Sequence, residues 1–341
     1  VKSRVQHNKD YSVDMKDSKV VVVTVTYGDR LKYLFKMLER VFSEPEISRT
    51  FVVDNGSKSD LSSLSRRWGD RIRIIHMGRN KGSAPGYAVG IRSALEWGAE
   101  VVWLLDDDNG PEPGCGERLL SELERLGKES GRDKAIVCAN RGDWIDVKRA
   151  FPPKSSFMRF HVKLLPYLLF KRLMEKRFKV TPLPPILDMP LCPYGGMMAY
   201  RAVFERFGFP REDFVLYGDD DEYTLRMSTQ GVVIQQIRDA RIKDLEPFWG
   251  TENNINLVYL AVLKVGADFR VYYGARNEAY IARVLHPGNL FMYECNKAIY
   301  IAFLFLLALL FGGFRRFFLI LQAIRDGEAG RLGYNPKIPL P

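Results

Sequence analysis

Paired cysteines are missing from this chain. Its four cysteines, Cys115, Cys138, Cys192 and Cys295, lie far apart and form no CxxC pair. That spacing argues against a zinc ribbon and against a disulfide framework, so all four are expected as reduced residues of the core. Histidine is equally scarce, with only His7, His76, His161 and His286. Residues 1–19 are polar, mixed in charge and without the apolar region that a secretory signal needs, which makes the cytoplasmic face of a membrane the expected location. Long apolar runs are few. Residues 298–314 (AIYIAFLFLLALLFGGF) form an uncharged stretch of 17, at the low end of the roughly 17–25 residues that span a bilayer. Arg315, Arg316 and a further apolar run to Ile324 follow, and Gly312-Gly313 beside two arginines suggests a bend near the interface. A membrane-dipping helical pair is the expected arrangement, peripheral or monotopic, with a buried core helix as the alternative.

What is present is enough for a large core: 341 residues, 46% hydrophobic and 27% charged, fit one big domain or one domain plus an appendage. The net charge of +10 would suggest nucleic acid if it were spread over a recognition surface. It is local instead. Ten lysines and arginines fall between Lys148 and Lys179 against the single acid Glu175, interleaved with Phe157, Phe160, Leu164, Leu168, Phe170 and other apolar residues. That mixture is expected of a helix lying in anionic lipid headgroups, or of a solvated helix covering the core. A nucleic-acid binder would leave the aspartate triplets elsewhere in the chain unexplained, and no nucleic-acid partner is expected.

Strands and helices alternate in the front half. Residues 19–26 (KVVVVTVT) are a continuous β-branched run of the kind buried on both faces of a parallel sheet, and residues 30–42 have helical periodicity. Further strands are predicted at 50–53, 72–76 and 101–105, a helix at 86–97, and a strand-like MMAY followed by a helix at 202–207. This order predicts an open, mostly parallel α/β sheet whose ligands gather at the carboxyl ends of the strands. The polar motifs fall at those ends. Asp106-Asp107-Asp108 directly follows VVWLL; three adjacent carboxylates repel one another, and a divalent cation is the usual way to hold them together. In an extended segment Asp106 and Asp108 share a face and can approach one metal, although acids at a strand end also serve as simple turns or caps.

The motifs VTYGDR (25–30), VVDNGS (52–57), NKGSAPGYAVGI (80–91), LLDDDN (104–109), YGGMMAYR (194–201) and GDDDEYTLR (218–226) are individually weak. In this order and spacing the chain resembles the inverting family-2 glycosyltransferases of GT-A fold, over roughly residues 20–247, and most of all their galactofuranosyl- and rhamnosyltransferase subgroup. The resemblance implies a GT-A domain at 19–250 containing the basic insertion 148–190, after an N-terminal tail at 1–18 and before a helical membrane-associating region at 251–341. It implies a nucleotide-sugar donor, with the triple aspartate favouring UDP-galactofuranose over dTDP-rhamnose. The implied acceptor is a glycan or polyprenyl-linked glycan, and the implied cofactor Mn²⁺ or Mg²⁺.

Residue by residue, the resemblance places Thr26 and Asp54 at the nucleobase and ribose, although Asp-Asn-Gly-Ser is also turn chemistry. Asn80, Gly82 and Gly86 would let backbone approach the nucleotide. Asp106 and Asp107 would face the nucleotide or the metal, with Asp108 a direct metal ligand. Gly195 and Gly196 would lie against the donor sugar, or form a plain turn, and Trp249 could stack on a sugar or sit in the core. Asp220 matches the general base, which takes the proton of the attacking acceptor hydroxyl. Asp219 and Asp221 would position the acceptor or tune Asp220, and Arg226, a turn later, would orient Glu222. One departure stands out: the galactofuranosyl members complete the metal shell with a histidine some two dozen residues after the base, where this chain has none. Asp244 occupies about that position and is expected as the third ligand, with His286 its rival. A non-catalytic sugar-nucleotide-binding protein is the remaining alternative.

Overall fold

The computed structural model describes residues 20–142, 184–246, 258–285 and 290–341. The N-terminal tail, most of the basic segment, Trp249 and His286 lie outside the described residues.

The β-branched run folds as β1 (Val20–Gly28). Val20 and Val22 face one side of the sheet, Val21 and Val23 the other, and all four are fully buried, which is why no polar alternation is visible in the sequence. Then follow α1 (Leu31–Val41), β2 (Ile47–Ser57), α2 (Ser62–Trp68), β3 (Ile72–His76), α3 (Ser83–Trp97), β4 (Val101–Leu104), β5 (Asn109–Pro111), α4 (Cys115–Ser130) and β6 (Ala135–Asn140). After the basic segment come β7 (Ile186–Met189), β8 (Met197–Tyr200), α5 (Arg201–Phe207), α6 (Asp219–Ser228) and β9 (Val233–Asp244). Helices α1, α2 and α4 cover one face through Leu38, Leu64 and Leu123; α3, α5 and α6 cover the other through Ile91, Phe204 and Tyr223. Each fully buried side chain of this size contributes roughly 2 kcal/mol of hydrophobic stabilisation.

The sheet order is β3-β2-β1-β4-β8-β6-β9-β5, with β7 also on β9. β3, β2, β1 and β4 are parallel, as the sequence predicts. The remainder is mixed: β8 runs antiparallel to both β4 and β6, and β9 pairs parallel with β6 but antiparallel with β5 and β7. The chain leaves β1 toward β2 and β3, then crosses back to β4 on the other side. That reversal opens a crevice at the carboxyl ends of β1 and β4, the usual ligand position of an open α/β sheet.

Four helices follow: α7 (Val258–Lys264), α8 (Asp268–Tyr280), α9 (Leu290–Phe311) and α10 (Phe314–Glu328). They share a core of their own, including Leu263, Ala279, Tyr293, Leu304, Phe317 and Ile320. α9 and α10 fold back on each other at Gly312 and Gly313, both at positive φ (76° and 108°), a conformation that glycine adopts without a steric penalty. Gly327 of α10 crosses α8 so closely that a Cβ there would lie 2.1 Å from Arg276 O. Among the described residues one helix, Tyr293–Phe311, is long and apolar enough to cross a membrane. Leu309, Leu310, Phe311 and Phe318 are all more than half exposed. Arg316 is not an interfacial anchor: it is largely buried and donates to Val265 O, Gly266 O and Asp268, tying α10 to the end of α7. The four cysteines are free thiols, and Cys115, Cys138 and Cys192 are buried.

Candidate active site

A cavity of about 660 Å³ opens at the carboxyl ends of β1 and β4, lined by Asp106, Asp107, Asp108, Asp219, Asp220, Asp221, Asp244 and Glu246 together with Arg30, Arg141 and several tyrosines. Acids from three separate chain segments therefore meet in one place.

The triplet after β4 divides into an inner and an outer part. Asp107 turns inward and is almost fully buried; Thr26 Oγ1 donates to it at 2.7 Å and Arg30 Nε at 2.8 Å. Burial pushes the Asp107 carboxyl up to about 7, with the Arg30 charge opposing the rise. Burial also works against the Arg30 charge, but Asp107, Glu246 and Asp108 outweigh it and hold the guanidinium protonated. Arg30 reaches Asp108 Oδ2 at 2.8 Å and contacts Glu246. Asp106 and Asp108 point outward. Tyr87 donates to Asp106 Oδ1 at 2.9 Å, and Arg141 bridges Asp106 Oδ2 (2.9 Å) to Asp244 Oδ1 (2.8 Å). The amide of Asn109 reaches Asp108 Oδ1 (3.3 Å) and Asp244 Oδ1 (3.1 Å). Burial, and next the charge of Asp106, raises the Asp108 carboxyl. Asp106, Asp108 and Asp244 are thus gathered as the sequence predicts. Arg30 and Arg141 supply their counter-charge and Asn109 a hydrogen-bond donor, and among the described residues no three His, Cys, Asp or Glu side chains stand in metal-ligating geometry.

Asn80 and Gly82 line the cavity, and Asn55 pins their loop, donating to Gly82 O (2.9 Å) and accepting from Lys81 N–H (2.9 Å). Gly82, at φ 95°, abuts Val215 O, where a Cβ would approach to 2.1 Å. Gly86 lies within α3, in keeping with the helix predicted at 86–97, but is not among the cavity residues; a Cβ would press on Val25 at 2.7 Å, so its smallness serves helix-to-sheet packing. Gly195 lines the cavity, where a Cβ would come within 2.7 Å of both Asp106 and Arg141; Gly196, at φ 102°, is packed beneath it against Ala139 and Ile242. Neither Thr26 nor Asp54 is among the cavity residues. Thr26 spends its hydroxyl on Asp107. Asp54 accepts from Ser57 N–H (2.7 Å) and pairs with His76 (2.8 Å), which is the turn chemistry its sequence context also allowed.

Across the cavity, Gly218 in the left-handed region caps α6, whose first turn carries Asp219, Asp220 and Asp221. Asp219 is buried and accepts from Ser83 Oγ at 2.8 Å. Burial, reinforced by the neighbouring charge of Asp220, pushes its carboxyl well above the ordinary range. Asp220 and Asp221 are half-buried at the cavity wall. Arg226 Nε reaches Glu222 at 2.8 Å, as its spacing predicts, and its other nitrogens hold Phe207 O and Phe209 O. Tyr194 presents a buried hydroxyl to the same wall that finds no partner among the described residues.

The comparisons agree with this geometry. The mannosyltransferase PcManGT from Pyrobaculum calidifontis, solved with GDP-Man and Mn²⁺, superposes with a TM-score of 0.51 at 15% identity over 96% of this chain and 79% of that one. GalNAc-T7, solved with UDP, GalNAc and Mn²⁺, gives 0.50 at 15% identity over 68% of this chain and 45% of its own. These show the GT-A-type fold. In sequence, the dTDP-rhamnosyl transferase RfbF of Shigella flexneri is 25% identical over 230 residues, 66% of this chain and 69% of that protein. The galactofuranosyltransferase GlfT1 of Mycolicibacterium smegmatis is 33% identical over 100 residues, 28% of this chain and 32% of its own. The profile of glycosyl transferase family 2 matches residues 21–202, more than half of the chain and the span that carries the aspartate triplet and Gly195-Gly196. With that span, an acid-lined crevice at the carboxyl ends of β1 and β4 and relatives that are themselves transferases, the chain belongs to glycosyl transferase family 2 and is a glycosyltransferase that uses a nucleotide-activated sugar.

Proposed function

We propose that this enzyme moves one sugar, with inversion, from UDP-galactofuranose to a hydroxyl of a glycan or polyprenyl-linked glycan, with dTDP-rhamnose as the alternative donor. The observation that carries the reading is the single cavity in which Asp106, Asp108 and Asp244 face Asp219–Asp221 from the other side. A donor diphosphate belongs on the first side and an acceptor hydroxyl beside the second. Asp220 is the general base: it accepts the hydroxyl proton as the new bond forms on the face opposite the leaving diphosphate. Asp219, buried and hydrogen-bonded to Ser83, resists ionisation, which lessens the charge beside Asp220. Asn80 and Gly82 border the nucleotide. Arg30 and Arg141 compensate negative charge on the donor side.

Three hard carboxylates suit a divalent cation. Held by Asp106, Asp108 and Asp244, Mn²⁺ or Mg²⁺ would neutralise charge developing on the leaving diphosphate. Arg141, Asn109 and Arg30 hydrogen-bond oxygens of that set and would share its carboxylates with a bound cation. Transfer that survives exhaustive chelation would assign charge neutralisation to the arginines instead.

Membrane docking through α9 and α10 is part of the same proposal, on the cytoplasmic face. Its support is the exposed apolar surface around the Gly312-Gly313 reversal. The opposite end of α9 is polar, with Lys297 bound to Glu294 and Glu328, which favours dipping over spanning. The deciding experiment is a donor screen with purified protein and Mn²⁺, scoring nucleoside diphosphate release from UDP-galactofuranose, dTDP-rhamnose and common UDP-hexoses. No release from the first two removes the donor assignment.

A further inference from the structure

Among the contacts between the helical region and the catalytic domain is one strained turn. Val215 sits at φ 69°, ψ −72°, with Leu216 N–H donating to Phe214 O at 2.9 Å to close a γ-turn, and Tyr217 sits at φ 61°. A β-branched residue at positive φ persists only where its surroundings over-determine it. On one side Ala84 N–H donates to Val215 O at 3.0 Å. On the other side Asn277 of α8, fully buried, aims its amide nitrogen at Phe214 O (2.8 Å), Leu216 O (3.0 Å) and Tyr217 O (2.8 Å). An asparagine has two amide hydrogens, so three carbonyls exhaust its donors. Arg276 sets the direction of that amide, donating from Nε to Asn277 Oδ1 at 2.9 Å and from Nη2 to Phe214 O at 2.8 Å. The residue after the turn is Gly218, the cap of α6, and the next three are Asp219, Asp220 and Asp221. α8 packs against α10 through Ala279 and Ile324 in a cluster that holds no turn residue, while Tyr273 and Ala323 share a second cluster with Val215 of the turn.

We propose that Asn277, braced by Arg276, is a positioning residue for sugar transfer: it locks the strained 214–217 turn and thereby fixes Asp220 at the cavity wall. The inference rests on the reading of Asp220 as general base. A carboxylate displaced by a fraction of its hydrogen-bond reach no longer meets the acceptor hydroxyl in line with the leaving group. The turn also abuts Gly82, but the 80–82 loop keeps its own anchor on Asn55, and the aspartates at the ends of β4 and β9 are held by Arg30 and Arg141. The loss therefore falls on turnover and not on nucleotide binding.

The test uses the full chain, with Asn277→Ala, Asn277→Gln and the control Tyr293→Phe, which removes a 2.8 Å bond to Glu328 in the same helical region but away from the turn. Three quantities are measured: nucleoside diphosphate release from UDP-galactofuranose and from dTDP-rhamnose, calorimetric dissociation constants for UDP and dTDP, and amide hydrogen exchange along the chain. Asn277→Ala is expected to lower kcat about a hundredfold, the scale of a roughly 1 Å misplacement, and to leave both nucleotide constants within about twofold of wild type. Exchange should accelerate in 213–223 and at Ala84, whose N–H donates to Val215 O, and not across the rest of the chain. Asn277→Gln, which keeps the amide but shifts it by one methylene, should lose less and serves as the readout if the alanine variant does not accumulate. Wild-type exchange in 213–223, acceleration spread over the whole chain, or an equal loss of turnover in Tyr293→Phe would each overturn the positioning role. Asp220→Asn, run in parallel, separates the two ideas: full transfer by that variant defeats the base assignment, whereas its inactivity beside a normal Asn277→Ala defeats only the clamp.

Discussion

Arg141 spans Asp106 and Asp244, donating to one at 2.9 Å and to the other at 2.8 Å, so that the end of β9 is bound electrostatically to the end of β4. A cation entering that set competes with the guanidinium for the same oxygens. Asp244→Ala should raise the Mn²⁺ concentration for half-maximal transfer by at least about tenfold, and Asp244→His should recover part of the loss with a preference for Mn²⁺ over Mg²⁺. A metal titration of wild type and both variants decides it; unchanged metal dependence in Asp244→Ala would return the third-ligand role to His286.

Asp220→Asn removes a proton acceptor and little volume. Transfer should fall by about 10²–10⁴-fold while donor binding persists, measured by turnover and calorimetry on the same preparation. Near-normal turnover would take Asp220 out of the mechanism.

Asp219→Asn should behave differently, since asparagine imitates the neutral acid and can still accept from Ser83. A carboxyl raised above its ordinary 3.8 on folding resists ionisation in the native state, whereas the unfolded chain ionises freely. Wild type therefore loses stability relative to Asp219→Asn as pH climbs from about 4 through the raised folded value, by up to about 1.4 kcal/mol per pH unit within that window. Below pH 4 the two proteins should converge. Thermal unfolding of both between pH 4 and 8 tests this, and a constant gap would show that Asp219 is ionised in the folded enzyme.

The Tyr194 hydroxyl is buried without a partner among the described residues, which costs about 1–3 kcal/mol unless a further group completes it. Tyr194→Phe should leave the melting temperature unchanged or higher and lower transfer. Unaltered kcat and KM would mean that no substrate group reaches it.

Replacing Leu309, Leu310 and Phe318 with glutamate should release the protein from liposomes and spare transfer to a soluble acceptor, since each side chain forfeits roughly 2 kcal/mol of apolar burial. Neutralising Lys171, Arg172, Lys176 and Arg177 should weaken only the binding to anionic vesicles, by about 1 kcal/mol per charge. Flotation assays with neutral and anionic vesicles distinguish the two contributions.

Much of the parallel half-sheet was legible because β1 and β4 are buried on both faces and read as unbroken apolar runs; β3, an edge strand with exposed Arg73 and His76, still matches its predicted bounds residue for residue. β9 was not legible: Val233–Asp244 mixes Gln235, Gln236, Arg238 and Lys243 among its apolar residues, as a strand with one half-open face does. In the site, Asp106, Asp108, Asp244 and Asp220 were found from carboxylate spacing and resemblance. Arg30, Arg141 and Asn277 were passed over, because an isolated arginine or asparagine carries no periodic signal and its partners lie far away in sequence. Arg30 stood within a quoted motif, one residue past the aspartate that follows β1, and could have been read as the counter-charge of the triplet.

The hairpin of α9 and α10 has one further consequence. Its reversal at Gly312-Gly313 is the apolar tip, and the crossing of Gly327 with Arg276, fourteen to fifteen residues along α10, lies beside the Asn277 contact. A helix of that length measures about 22 Å, so the hairpin acts as a spacer of fixed height. Seated tip-down in a bilayer, it would hold the catalytic crevice at a set elevation above the lipid. A lipid-linked acceptor must then bridge that gap with its own head portion before its terminal hydroxyl meets Asp220, so the hairpin would select acceptors by reach and leave those too short to span the distance unmodified.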